Sequence, residues 1–181
     1  MGMAIAVPRY TTEDLEQFPD DGNRYELLDG VLLVTPAARR MHQVVAGRLH
    51  VRLALAVEEV GLAQIVSPGV VVQVPRTQLQ PDILVQPARF ALEKDWSRVT
   101  DHWLAIEVLS RSSRVYDREI KRGAYFALGV REVWLVDIPD KSVEIWRRPS
   151  ESTTARESLV WRVPTVDLDV TIDLLTIFEG T

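Results

Sequence analysis

Trp103-Leu104-Ala105-Ile106-Glu107-Val108-Leu109 is the stretch on which the fold turns. Apart from one carboxylate it is a continuous apolar run of strand length, the pattern of a strand buried on both faces at the centre of a sheet. Glu107 breaks that pattern. A carboxylate placed there is costly unless it is paired, protonated or bound to a cation. Pro81-Asp82-Ile83-Leu84-Val85 repeats the theme, with an acid opening a short apolar strand. Two carboxylates on strands of one sheet can converge and hold a divalent cation through oxygen. Magnesium suits that inventory, because it takes one or two carboxylates and leaves its other positions to water or phosphate. Taken singly, each acid also has a plain structural reading: Asp after Pro is commonly a turn residue, and a glutamate on an edge strand simply faces solvent.

Working outward, Thr11-Thr12-Glu13-Asp14 starts a short helix that Pro19 stops. Two apolar strands, Tyr25 to Leu28 and Val31 to Val34, flank Asp29-Gly30 and predict a hairpin with a type I′ turn. Met41, Val45, Leu49, Leu53, Val57 and Val60 recur every three or four residues and predict one long helix over 37–60, closed by Gly61. Val70 to Val74 and Asp82 to Val85 are predicted strands, and 113–128 is predicted helical up to Gly129. Val133 to Asp137 and Ser142 to Trp146 flank a Pro139-Asp140 turn as a second hairpin, and the tail from Leu159 mixes strand and helix. The expectation is a single α/β domain over 1–181, with a mixed central sheet flanked by helices.

The chain of 181 residues has no cysteine, which excludes disulfides, zinc ribbons and iron–sulfur clusters. No apolar run is long enough to span a membrane and no signal peptide is evident, so a cytoplasmic location is the default expectation. A net charge of −5 argues weakly against a polyanion partner. The distribution argues the other way: 38–52 carries Arg39, Arg40, Arg48 and Arg52 with no acid, and 111–122 is also net basic.

Within the second basic segment, Asp117 and Lys121 form an i, i+4 pair. On its own terms that pair is a surface salt bridge. The alternative is that Lys121 points from its helix at the carboxylates, where an ammonium can orient a water or neutralise charge on a phosphate.

Six short motifs, in order, carry a resemblance: Arg24-Tyr25-Glu26-Leu27-Leu28-Asp29-Gly30; His42; Gln80-Pro81-Asp82; Glu107-Val108-Leu109-Ser110; Tyr116-Asp117-Arg118 with Lys121; and Gly129-Val130-Arg131-Glu132-Val133-Trp134-Leu135-Val136-Asp137. From about Tyr10 to Arg148 the chain resembles a bacterial family of restriction-endonuclease-like proteins within the Pro-Asp…(Asp/Glu)-x-Lys nuclease superfamily. The resemblance implies a restriction-endonuclease-like core with metal-dependent phosphodiester hydrolysis. It assigns the metal to Asp82 and Glu107, with the backbone carbonyl of Val108 as a further ligand, and adds Glu26 and Lys121 to the catalytic set. The superfamily's usual lysine position, two after the glutamate, is Leu109 here, so Lys121 must reach the site from another element. Mg²⁺ is the implied cofactor, with Mn²⁺ as a substitute. Arg39, Arg40 and Arg118 are candidates for phosphate contacts, and His42 for a supporting role near the substrate.

The implied partner is nucleic acid, with DNA expected first and no membrane. The rival is a non-catalytic binding or assembly module that keeps the fold; a hydrolase of another phosphoester is a third reading. A homodimer is also entertained, on a surface formed by Trp134, Ile145, Trp146 and Trp161.

Overall fold

The computed structural model describes residues 9–110 and 114–181. Helix α1 (Thr12–Leu15) is capped by Thr11, whose hydroxyl accepts from the Asp14 amide while the Asp14 carboxylate accepts from the Thr11 amide. This reciprocal pairing satisfies two otherwise orphaned donors. Strands β1 (Arg24–Leu28) and β2 (Val31–Thr35) form the predicted hairpin, with Asp29 and Gly30 at φ of 50° and 80°. Helix α2 (Arg40–Leu53) runs on through a π-helical turn (Ala54–Glu58), and Gly61 follows at φ 73°.

Short strands β3 (Ala63–Val66), β4 (Val71–Gln73) and β5 (Thr77–Leu79) lead to β6 (Ile83–Pro87) and, after two 3₁₀ turns, to β7 (His102–Val108). The crossover from β7 contains α3 (Arg114–Tyr116), a π-helical turn (Asp117–Lys121) and α4 (Arg122–Ala127). Strands β8 (Val130–Asp137), β9 (Ser142–Arg148) and β10 (Glu151–Ala155) continue the main sheet. The β11 (Ser158–Arg162) and β12 (Asp169–Asp173) ribbon and α5 (Leu174–Ile177) close the chain.

The main sheet has the order β10-β9-β8-β7-β6-β3, antiparallel except for the parallel β7–β8 pair. The second sheet has the order β2-β1-β5-β4. The period-two alternation of side chains divides the main sheet into two faces. Leu104, Ile106, Val108, Trp134 and Val136 pack with Val45, Leu49 and Leu53 of α2, with Val57 of the π-helical turn, and with Trp161 and Ile172 of the C-terminal ribbon. Leu84, Ala105, Val133 and Leu135 pack with Tyr125 of α4 and with Val71 and Leu79 of the second sheet. Glu107 alternates with Ala105 and therefore points to this second face, beneath the crossover helices.

Two corrections follow. Helix α2 begins at Arg40 rather than at 37; residues 37–39 lie outside it, Arg39 with extended backbone, and line the cleft described below. Its N-cap, Arg39, makes no side-chain capping bond. Trp134, Ile145 and Trp161 do not offer a dimer surface, because each is at most 5% exposed within this chain. Trp146 is packed under the Arg122 guanidinium, 3.7 Å above its ring. Among the described residues no helix is long and apolar enough to cross a membrane.

Candidate functional site

The β6–β7 register pairs Ile83 with Ile106, and one further step places Asp82 opposite Glu107. Directly opposed residues of an antiparallel pair share a face, so strand pairing alone brings the two acids together. Asp82 is then fixed from three directions. Its Oδ2 accepts from the Val108 amide at 2.8 Å and lies 3.0 Å from His42 Nε2, and its Oδ1 accepts from Arg24 at 2.8 Å. Gly69 sits against the same segment: its amide donates to the Pro81 carbonyl, and a Cβ there would lie 2.2 Å from the Leu84 Cβ.

Glu26 enters from β1 of the second sheet, where its Oε1 accepts from the Gln80 amide at 2.7 Å. Lys121 arrives from the crossover. Its Nζ lies 2.7 Å from Glu26 Oε2, 3.2 Å from Glu107 Oε1 and 3.7 Å from Asp117 Oδ1. The Asp117–Lys121 pair is therefore no surface salt bridge: each residue is 3% exposed. Arg24 and Tyr125, absent from the candidates drawn from sequence, complete the cluster. Tyr125 is fully buried and donates to Glu107 Oε1 at 2.5 Å. Its only sequence signal is its spacing, one helical turn beyond Lys121.

The electrostatics follow from three acids sharing one ammonium. Burial pushes the Glu107 carboxyl up; Lys121 opposes this and the Asp117, Asp82 and Glu26 charges reinforce it, leaving the carboxyl at about 8. Burial depresses Lys121, but the surrounding carboxylates outweigh it and raise the ammonium above its ordinary value. For Asp82 burial is again the largest influence, yet His42 and Arg24 together hold the carboxyl below its ordinary range. Burial and the nearby negative charges raise the Tyr125 hydroxyl, which remains a donor at neutral pH. Tyr125→Phe removes a buried, charge-assisted hydrogen bond and is expected to destabilise the protein by about 1.5–3 kcal/mol in urea unfolding.

Asp82, Glu107, Asp117 and Lys121 line a cleft of about 530 Å³. Arg24, Arg39, His42, Val108 and Leu109 line it too. Leu109 stands two residues after Glu107, where the resemblance would place a lysine, and the Lys121 nitrogen reaches Glu107 instead. At Val108 the described contact is the amide donated to Asp82. Arg40 is exposed at the first turn of α2 and is not among the cleft-lining residues. Arg118 is turned elsewhere: its guanidinium pairs with Asp137 at 3.4 Å and Glu144 at 2.5 Å.

The donor set fits a hard cation of low protein coordination. Among the described residues no three His, Asp or Glu side chains stand ready as a metal cage. Asp82 and Glu107 are carboxylates opposed on neighbouring strands and both line the cleft, and one or two carboxylates are what Mg²⁺ takes from protein. Among the described residues the hydrogen bonds to the Glu107 carboxylate, from Lys121 and Tyr125, fall on Oε1, and Glu107 lines the cleft.

A family model described as "Uma2: Putative restriction endonuclease" matches residues 12–174. A crystal structure described as "a putative nuclease belonging to DUF820" from Anabaena variabilis superposes with a TM-score of 0.68 at 16% identity, over 93% of this chain and 97% of that one. At that identity the likeness is one of fold. No curated protein matches the sequence.

Proposed function

We propose, for a chain that belongs to the Uma2 family of restriction-endonuclease-like proteins, that this cleft hydrolyses phosphodiester bonds of nucleic acid, DNA first, with a divalent cation. The observation that carries the reading is the placement of Lys121. A buried ammonium comes from a separate helical segment to stand between Glu26 and Glu107 at the floor of the cleft. That arrangement restores the charge pattern that Leu109 by itself would forfeit.

Asp82 and Glu107 would hold Mg²⁺ or Mn²⁺, with the Val108 carbonyl as a further ligand. The bound cation would polarise the scissile phosphate, activate water and stabilise the leaving oxygen. The chain's own residues do the positioning. The Val108 amide and His42 fix Asp82, and Tyr125 fixes Glu107 by one oxygen. Glu26 anchors Lys121, whose ammonium orients the attacking water and offsets negative charge on the phosphate. Arg39 meets a neighbouring phosphate at the cleft wall.

Incubation of supercoiled plasmid and of single-stranded circular DNA with Mn²⁺ or Mg²⁺ tests the proposal: cleavage that EDTA abolishes supports it, and a wild type inert on both argues against it. Because Arg24, His42 and the Val108 amide already engage Asp82, a binding module is the second reading. A protein of that kind would bind nucleic acid without nicking it.

A pH dependence follows. A carboxylate must shed its proton to take a metal, and Glu107 holds its proton up to about 8. Mn²⁺ affinity measured by titration calorimetry is expected to rise with pH and to level off above about 8, whereas a site made only of ordinary carboxylates would level off near 5.

A further inference from the structure

We infer that the substrate is unpaired nucleic acid, a strand end, flap or loop, whose nucleotide enters the cleft out of its stack; the inference rests on the nuclease reading above. The reacting groups lie at depth: Asp82, Glu107 and Lys121 are 6%, 2% and 3% exposed. The rest of the lining is more apolar than polar, with Thr35, Arg39 and Ser110 among its polar members. Pro36, Ala37, Ala38 and Met41 line the cleft from the β2–α2 connection and the start of α2, and Ile138 and Pro139 line it from the β8–β9 turn. The cleft's volume, about 530 Å³, falls in the range of pockets that enclose a small molecule, roughly 300–1,000 Å³.

A continuous duplex presents charged phosphates and sugars to whatever it docks against. Apolar walls beside those groups would strip their water and return no hydrogen bonds. A base has apolar faces and is routinely held between apolar side chains once it leaves the stack. The basic groups agree with this. A protein that tracks a duplex lays several cations along its phosphates. Here Arg114 and Arg118, on the crossover that borders the site, are paired with Asp137, and Arg118 also with Glu144. Arg24 is turned onto Asp82. Arg39 stands on the cleft wall beside the apolar residues. Among the described residues the cleft lining includes no Phe, Tyr or Trp, and His42 is its one aromatic side chain.

The test uses one oligonucleotide sequence as a single strand and as a blunt duplex. With wild-type protein and Mn²⁺, the single strand is expected to be cut at least about tenfold faster. With EDTA, fluorescence anisotropy is expected to show it bound at least about tenfold tighter. Ala37→Leu, at an exposed position of the wall, is expected to weaken single-strand binding several-fold while leaving Mn²⁺ binding unchanged. Equal cutting and equal binding of the two forms overturn the inference and leave the nuclease reading standing, and unaltered binding by Ala37→Leu overturns the assignment to this wall. If Mn²⁺ binds but neither form is cut, the nuclease reading itself fails and the inference falls with it.

Discussion

Lys121→Met is expected to abolish cleavage and to destabilise the protein by about 3–5 kcal/mol, the cost of removing one partner from a buried ion cluster. Met keeps the length of the side chain, so the loss is electrostatic. Glu26 at 0% exposure, Glu107 and Asp117 would then share a dry site with no cation beneath them. For a chain of this size such a loss lowers the melting temperature by roughly 6–20 °C. In the wild type the folded Lys121 is raised above its ordinary 10.5. Its stabilising contribution is therefore complete below pH 10.5 and fades only as the pH climbs beyond it. In the variant the stranded carboxylates hold their protons more tightly than in the unfolded chain. The stability gap to wild type should accordingly narrow as the pH falls from 8 toward 5. Thermal melts across that range check the sign; a gap that stays constant would mean that Lys121 is not the counter-charge of the cluster.

Glu107→Gln is expected to do the opposite to stability and the same to activity. Glu107 ionises at about 8 in the folded protein against its ordinary 4.5. Ionisation therefore costs stability progressively as the pH rises through that window, and the cost is absent below it. An amide keeps an acceptor for Tyr125 and Lys121 and removes the charge. The metal-free variant should be more stable than wild type by about 1–3 kcal/mol at pH 8 and nearly equal to it at pH 4.5. Cleavage should fall by about 10²–10³-fold or more, on the scale of losing one preorganised electrostatic contact. A site that lowers stability while serving activity is the usual trade in enzymes. Combining the two substitutions should be markedly less harmful to stability than adding their separate effects predicts, because both act on one cluster.

The elements that could be read from sequence were those with a strong period or a turn residue of unusual backbone. Strand β7 showed as an apolar run broken only by Glu107, the β1–β2 turn through Asp29-Gly30, and the body of α2 through its repeating apolar face. Strands β5 and β10 could not be read that way. Thr77-Gln78-Leu79 is too short to show a period, and Glu151 to Ala155 is a polar edge strand exposed over most of its length. Both form because their neighbours offer a ladder. The start of α2 was set too early for a local reason: no Ser, Thr, Asp or Asn stands at its N-cap to mark the boundary, and Arg39 makes no capping bond.

The site divides along the same line. Glu107 and Asp82 were visible as acids inside apolar strands, because charge in a buried run is an anomaly in one dimension. Glu26 came from resemblance, and Lys121 stood in the residues only as the alternative to a surface salt bridge, since a glutamate in a hairpin and a lysine in a helix look ordinary until the second sheet and the crossover bring them to the same point. Arg24 and Tyr125 had no comparable signal. Their roles exist only through pairs 58 and 18 residues apart in the chain. Arg118 shows the converse: an arginine in a basic stretch that the fold uses to neutralise Asp137 and Glu144.

The central claim is that Asp82 and Glu107 form one metal centre in the cleft. Mn²⁺ titration calorimetry at pH 8 on wild type, Asp82→Asn and Glu107→Gln, each first shown to be folded by circular dichroism, tests it most directly. One site per chain is expected in wild type, and its loss in both variants. Undiminished Mn²⁺ binding in both folded variants would contradict it.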